Sequence, residues 1–415
     1  MDIAPFRGLR FDLGKVAEKV GQDAPVVTAP PYDVLSPEAH QAILDTSPCN
    51  IVQLTLGDRP GEIPSYEGRA QVLQGWIESG ILAYEDSPVY YVCTVEYTVP
   101  GTDTRARMVS FVALGRLHEF DERIVQPHEQ TFPKVVQDRQ SLLEATRCNL
   151  ESIMLLYNDA SGEIDSLLDE ISNGEPVMEV EASPGEVHAL YPVTDPASAL
   201  RLTEFMGEQR PIIADGHHRY TTSLLYRKTL AESGQQVPGT DWKMMTFANL
   251  RSEGVSILAT HRLLKLRDSS DVPQALALLD EWLDPAGEDD WEIRVETADA
   301  ARCYRLGEKA LIGKSGAAAT SYGIVQDEII GSWLAPLTDE EPEVSFYKEG
   351  TGEDEALRAG CGDLLFRMRP VGRGEFQEVI DGEEVFPHKT TYFYPKLWSG
   401  LVLWRLEDEA SPAGD

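Results

Sequence analysis

The stretch PIIADGHHRYTTSLLYR, residues 211–227, constrains this chain more than any other. Pro211 to Ala214 read as a short apolar strand, Asp215-Gly216 permits a tight turn, and the run that follows predicts a helix from about 217 to 232. A helix that begins beneath His217, His218 and Arg219 offers free backbone N–H groups, two imidazoles and a guanidinium to one ligand. That set suits a phosphate. The plain alternative is a capped helix with solvated histidines. His217 and His218 are neighbours and not an i, i+4 pair, so they do not form a chelating face and no metal site is expected here.

The rest of the chain reads as mixed α+β. With 415 residues, 42% of them hydrophobic, there is enough chain for two or three cores. Ser36 and Pro37 open a helix over 37–46, and a second helix follows near 66–79. Residues 89–99 and 107–117 are rich in β-branched and aromatic side chains around Pro100-Gly101 and predict an antiparallel pair. A helix at 136–147, a strand at 151–159 and an acidic surface helix and loop at 161–186 come next. That acidic stretch is the expected boundary between an N-terminal domain, 1–160, and a core, 187–265; a C-terminal α+β domain, 266–415, packs on the core. The last third is expected to hold a helix at 273–283, strands near 291–295, 302–312 and 362–368, and an extended aromatic end.

Charge restricts partners. Thirty-six basic and 70 acidic residues give −34, which repels nucleic acid and anionic membrane unless a concentrated basic patch exists. No basic arm or helix is visible, so neither is an expected partner. Acid spread along the chain with only 11 lysines resembles proteins of high-salt cytoplasm, where screening acts over about 3 Å at 1 M salt. Five scattered cysteines without a C-x-x-C pair support neither a disulfide framework nor a zinc ribbon. No run of 18 apolar residues and no signal-like start occur, so the expectation is a soluble, cytoplasmic protein.

Three further groups carry possible chemistry. Gln126-Pro127-His128-Glu129-Gln130-Thr131 precedes Asp138-Arg139; it lacks the second histidine of H-E-x-x-H, which excludes a zinc-protease helix. His128 and Glu129 can supply an acid and a base while Arg139 meets a phosphate, or the group is an ion-pair network joining loop to helix. Arg262 follows Thr260-His261, and Lys389, Tyr392 and Lys396 crowd into the aromatic end. Those cations either focus an anionic ligand or pair with the many carboxylates. Tyr32 and Asp33 either line a pocket or serve a proline-shaped turn. GEKALIGKS, 307–315, is not a phosphate loop: five residues separate Gly307 from Gly313 where four are needed, ALI reads as strand, and Lys314-Ser315 are expected at a hairpin turn.

The segment LTEFMGEQRPIIADGHHRYTTSLLY resembles the core of the ParB/sulfiredoxin-like superfamily, whose free-serine kinases carry a similar Asp-Gly-His-His-Arg turn. Over nearly its whole length the chain is similar to the domain-of-unknown-function 1015 family, in APPYDVLSP, NIVQL, QPHEQT, ATRCNLESIMLLY, ADGHHRY, ATHRLL and KTTYFYPKLWSGLV. The resemblance implies a ParB-like core that binds nucleotide phosphates, with ATP or ADP and Mg²⁺ as cofactors and a small phosphate or amino-acid substrate such as serine or phosphoserine. On that basis Asp215, Gly216, His217, His218, Arg219, Arg139, Arg262, Lys389 and Lys396 are candidates for binding phosphate or nucleotide. Glu129, His128, Asp33 and His218 are candidates for acid–base work. The expected activity is a phosphotransferase or phosphatase. Its rival is a non-catalytic regulatory module that binds a nucleotide or amino acid.

Overall fold

The computed structural model describes residues 1–21, 26–57, 65–128, 133–235 and 237–406. Two mainly antiparallel sheets organise it, giving the mixed α+β class expected from the sequence. The first sheet has eight strands, seven of which run in the order Ile212–Asp215, Ile153–Tyr157, Trp242–Asn249, Arg105–Arg116, Tyr90–Thr98, Glu186–Val193 and Met178–Ser183; Ile3–Ala4 pairs beside them with Arg105–Arg116. Only Ile153–Tyr157 and Trp242–Asn249 run parallel.

Both faces of this sheet are covered, which is why its central strands are apolar without a break. Ile153, Leu155, Tyr157, Ile213, Met245 and Phe247 face one core, while Met154, Leu156, Ile212, Ala214 and Met244 face the other. Helices Glu163–Ile171 and Pro196–Gly207 contribute Ile164, Leu168, Leu202 and Met206 to the first of these cores. Helices His217–Ser233 and Pro133–Thr146 lie against each other, with the Thr222 hydroxyl donating to the Val136 carbonyl at 3.3 Å.

The second sheet has six antiparallel strands in the order Asp284–Pro285, Ala301–Arg305, Ile293–Glu296, Leu364–Met368, Thr260–Leu264 and Val344–Lys348. The chain end then returns alongside strands and loops of the first 260 residues. Tyr392–Tyr394 pairs with Ser256–Leu258, Ser399 bridges Ala29, Leu403 bridges Leu9, and Trp404–Arg405 pairs with Cys148–Asn149.

Several elements match their sequence reading closely. Pro37–Thr46 is a helix whose Ser36 hydroxyl accepts the Ala39 N–H at 3.2 Å, and Tyr90–Thr98 and Arg105–Arg116 are an antiparallel pair. Others differ. The stretch 161–186 holds helix Glu163–Ile171 and strand Met178–Ser183, whose alternating side chains pair with Glu186–Val193 inside the first sheet. Strands from both sides of this stretch share one sheet, so the expected boundary between 160 and 187 falls within a continuous structure. Glu308–Leu311 is a short helix and not a strand, and Lys314 pairs with Glu328. The described cysteines are all free thiols. No helix among the described residues is long and apolar enough to cross a membrane.

Candidate functional site

Asp215 ends an edge strand, and Gly216 turns the chain into helix His217–Ser233. Gly216 has φ of 96°, and a β-carbon there would stand 2.6 Å from Ile153 Cγ2. Both facts demand glycine. The turn sets Asp215 and Arg219 one helical step apart. Arg219 Nη2 donates to Asp215 Oδ2 at 2.6 Å, and Nη1 donates to the Ser152 carbonyl at 2.7 Å. Lys396, from the returning chain end, pairs with Asp215 Oδ1. Burial favours the neutral acid, but the charges of Lys396 and Arg219 outweigh it and hold Asp215 well below the usual carboxylate range.

Two further lysines join this pair. Lys348 Nζ lies 4.1 Å and Lys396 Nζ 4.7 Å from the centre of the Tyr392 ring. Burial and then the Lys396 charge lower the Lys348 pKa to about 8; Lys389 acts in the same sense, while Asp33 and Asp215 oppose it. Asp33, Asp215, Lys348, Lys389 and Lys396 therefore share one electrostatic neighbourhood. Tyr32 borders it, with the Arg139 guanidinium 4.1 Å from its ring centre, and burial pushes the Tyr32 hydroxyl up to about 12.

His128 joins this turn to the chain end. Its main-chain N–H donates to His217 Nε2 at 3.3 Å, and the two rings stand edge to face at 4.6 Å. His128 Nδ1 lies 2.5 Å from the Ile213 carbonyl and Nε2 lies 2.8 Å from the Thr391 hydroxyl. A neutral ring that donates from Nδ1 accepts from Thr391 at Nε2, so both nitrogens are engaged. His218 is half-buried as the second residue of the helix. Glu129 lies outside the described residues, with Gln130 and Thr131.

Arg139 is buried, donating to the Thr55 carbonyl at 3.1 Å and, through Nε, to Asp138 at 2.7 Å. Arg262 stands apart in the second sheet, with no solvent exposure. It donates to the carbonyls of Thr260 at 2.7 Å and His388 at 3.3 Å, and burial lowers its pKa to about 10. Its reach to a ligand runs through the His388–Lys389 backbone alone. Lys348, Glu151 and Lys243 were not singled out in the sequence. The signal for Lys243 was present: a lysine inside the apolar strand Trp242–Asn249 of a chain with few lysines.

One cluster has metal-ligand composition. His261, Glu349 and Glu353 bring their ligand atoms within 4.8 Å of one another, and Glu353 Oε2 is buried without a hydrogen-bond partner. However, His261 Nδ1 accepts the Met368 N–H at 3.2 Å, so a neutral ring carries its proton on Nε2 and donates it to Glu349 at 2.7 Å. That tautomer has no lone pair for a cation at Nε2, and the group reads as a hydrogen-bonded pair.

A larger cavity, of about 590 Å³, opens at the other end of strand Ile212–Asp215, lined among others by Arg123, Gln126, Pro127, Tyr157 and Arg210. Its volume is in the range of small-molecule pockets.

Fold and site define a mixed α+β protein with a cationic cluster around an Asp-Gly-His-His-Arg turn. The chain belongs to a family described as proteins of unknown function, DUF1015, whose model matches residues 3–329. A search of curated proteins finds no match. Among solved structures, a conserved hypothetical protein from Pyrococcus furiosus aligns with a TM-score of 0.37 and 14% identity over 71% of this chain and 96% of that one. SbnI with C-terminal truncation from Staphylococcus aureus aligns at 0.39 and 15% over 70% and 86%. A free serine kinase in complex with AMP aligns at 0.37 and 15% over 70% and 92%.

Proposed function

We propose that this protein binds a nucleotide or phosphate at the Asp215–Lys396 cluster and transfers or removes a phosphoryl group on a small hydroxy compound. One observation carries the reading: in a chain of net charge −34 with 11 lysines, Lys348 and Lys396 converge on Tyr392 beside the Asp215–Arg219 turn, and the Lys389 charge acts on Lys348. A local cation surplus in an acidic protein focuses an anion. Helix His217–Ser233 adds its start, which has no side-chain cap.

Phosphoryl transfer needs positioning and charge neutralisation more than covalent help from the protein. Lys348, Lys389 and Lys396 neutralise the charge on the transferred group. Asp215 and Arg219 hold each other and Lys396 in place. Asp33 takes or orients the hydroxyl proton, with Glu129 as the other candidate base. Lys348, its pKa lowered to about 8, is mostly protonated at neutral pH and holds a proton that it can lend to a leaving oxygen.

Mg²⁺ would arrive with the nucleotide and supply further neutralisation of its phosphates. Asp215 does not suit it, because Lys396 and Arg219 occupy its two oxygens. Asp33 is exposed and would suit it better, and with Asp33 on the ion Glu129 is the base. Serine and phosphoserine are the first pair to test, because the turn resembles that of the free-serine kinases.

The test is a phosphorus NMR time course at high salt with Mg²⁺, the full chain, ATP or ADP, and serine or phosphoserine. New signals that vanish in Arg219→Ala uphold the proposal. Unchanged turnover in that variant refutes the site. Nucleotide line-broadening without new signals moves the regulatory module ahead.

A further inference from the structure

Behind Arg219 lies a second, smaller cavity of about 40 Å³, bounded by Arg139, Glu151, Arg219 and Lys243 together with three leucines and the uncharged Cys148, Asn149, Thr222 and Ser223. It has room for one or two waters or for a group the size of a carboxylate. Lys243 lines it from the start of strand Trp242–Asn249, as its second residue. That side chain is 5% exposed, and among the described residues its ammonium makes no hydrogen bond or ion pair. A mostly buried side chain that brings an ammonium to a cavity wall offers that charge to whatever enters the cavity.

The groups that face it come from every element around the cavity. Helix His217–Ser233 supplies Arg219, helix Pro133–Thr146 supplies Arg139, Cys148 lies on strand Cys148–Asn149, and Glu151 follows that strand. Glu151 Oε1 accepts the Ser399 hydroxyl at 2.9 Å. Arg139 already serves Asp138 and Thr55, and Arg219 serves Asp215 and Ser152. Arg139 and Arg219 thus each hold a carboxylate outside the cavity, and Glu151 is the carboxylate on its wall, leaving Lys243 as the cation with no ion pair of its own. Lys243 is the group left to meet an anion, and Glu151 together with the small volume favours a singly charged planar group over a phosphate.

We infer that this cavity binds the carboxylate of a small organic acid, held by Lys243 and Arg219. Arg219 also touches Asp215, so a carboxylate here places the rest of a short ligand beside the Lys396 cluster. The ligand class is then a hydroxy acid or amino acid whose far end reaches the phosphate site. Only this last step rests on the proposed phosphoryl transfer.

Burial, with Arg219 next, lowers the Lys243 pKa to about 7, so an arriving carboxylate draws a proton onto the amine. Binding near neutral pH is expected to take up a fraction of a proton, which calorimetry in buffers of different ionisation enthalpy reads directly. The experiment titrates the full chain at pH 7.5 with L-serine, glycolate, ethanolamine, inorganic phosphate and ADP. Serine and glycolate are expected to bind with proton uptake, and ethanolamine, which lacks the carboxylate, is not. Lys243→Met is expected to weaken both acids about tenfold or more and leave ADP unchanged. Replacing a mostly buried ammonium whose charge burial disfavours by an apolar chain of similar length is expected to preserve the fold. Glu151→Gln is expected to tighten both acids.

Any of three results overturns the inference: no acid binds the native chain, ethanolamine binds as well as serine, or Lys243→Met leaves the acids unaffected. Carboxylate binding without phosphoryl transfer upholds it and ends the kinase or phosphatase reading. Transfer that Lys243→Met leaves intact, with unchanged KM for the acid, does the reverse.

Discussion

Lys396 and Asp215 stand 181 residues apart in sequence and form one ion pair at the mouth of the turn. The chain end returns across the molecule through backbone bridges at Ala29 and Leu9, and that path delivers Lys396 to the first sheet. The pair does two things. It keeps Asp215 ionised against its burial, and it holds one ammonium beside Tyr392, where Lys348 already sits.

Removing the lysine separates these roles. In Lys396→Met, Arg219 still neutralises Asp215, so the fold survives with a loss on the order of 1–3 kcal/mol. Anion binding is expected to fall because the cluster loses one charge. Urea unfolding and ADP titration of the same preparation check both.

Acid stability follows with a definite sign. A carboxylate depressed in the folded state stabilises it above the unfolded value, near pH 4, and that contribution is lost as pH falls through the folded value. Asp215 is such a group. Lys396→Met, which relieves the depression, is expected to lose less stability than the native chain between pH 5 and 2. Parallel acid-unfolding curves for the two would count against the pairing.

At the alkaline side the sign reverses. Lys243 has its pKa lowered to about 7 in the folded chain, while an unfolded lysine titrates near 10.4. Between those values the unfolded chain holds more protons, so this residue makes stability rise with pH, by at most about 1.4 kcal/mol per unit. The native chain is expected to gain on Lys243→Met between pH 7 and 9 in the absence of ligand. Denaturant midpoints at four pH values decide it, and a constant difference would show that Lys243 titrates normally.

Gly216→Ala tests the turn itself. The new methyl meets Ile153 at about 2.6 Å and the backbone sits at φ of 96°, so a destabilisation of about 1–3 kcal/mol is expected, with loss of ligand binding. Thermal melting measures the first effect. A variant as stable as the native chain, with binding intact, would mean that the turn relaxes freely.

Arg219→Ala and Lys396→Met are expected not to add. Both act on Asp215, and removing either leaves that carboxylate with half its neutralisation. A double-mutant cycle on melting temperature reads the coupling, and strict additivity would contradict a shared partner.

Much of this was legible before the structure, for reasons tied to particular residues. Ser36-Pro37 carries its own helix start, Pro100-Gly101 its own hairpin, and Asp215-Gly216 its own turn, since each depends on local backbone chemistry. The acidic stretch 161–186 misled because its glutamates alternate with Met178 and Val180: surface charge hid an edge strand, and with it a sheet that continues past the expected boundary. The site was only partly legible. Asp215, Arg219, Lys389 and Lys396 stand in motifs that announce themselves, whereas Lys348 and Lys243 lie in ordinary strands and acquire meaning from what the fold packs against them. Arg262, read in the sequence as a ligand contact, is a buried brace beneath the Tyr322 and Phe346 rings that steadies the His388–Lys389 loop.

The most direct test of the central claim is the phosphorus NMR line width and shift of ADP added to the native chain and to Lys396→Met at high salt. The account predicts broadened, shifted phosphate signals with the native chain and sharp, free-ligand signals with the variant. Equal broadening in both would place any phosphate site away from the Asp215–Lys396 pair and contradict the account.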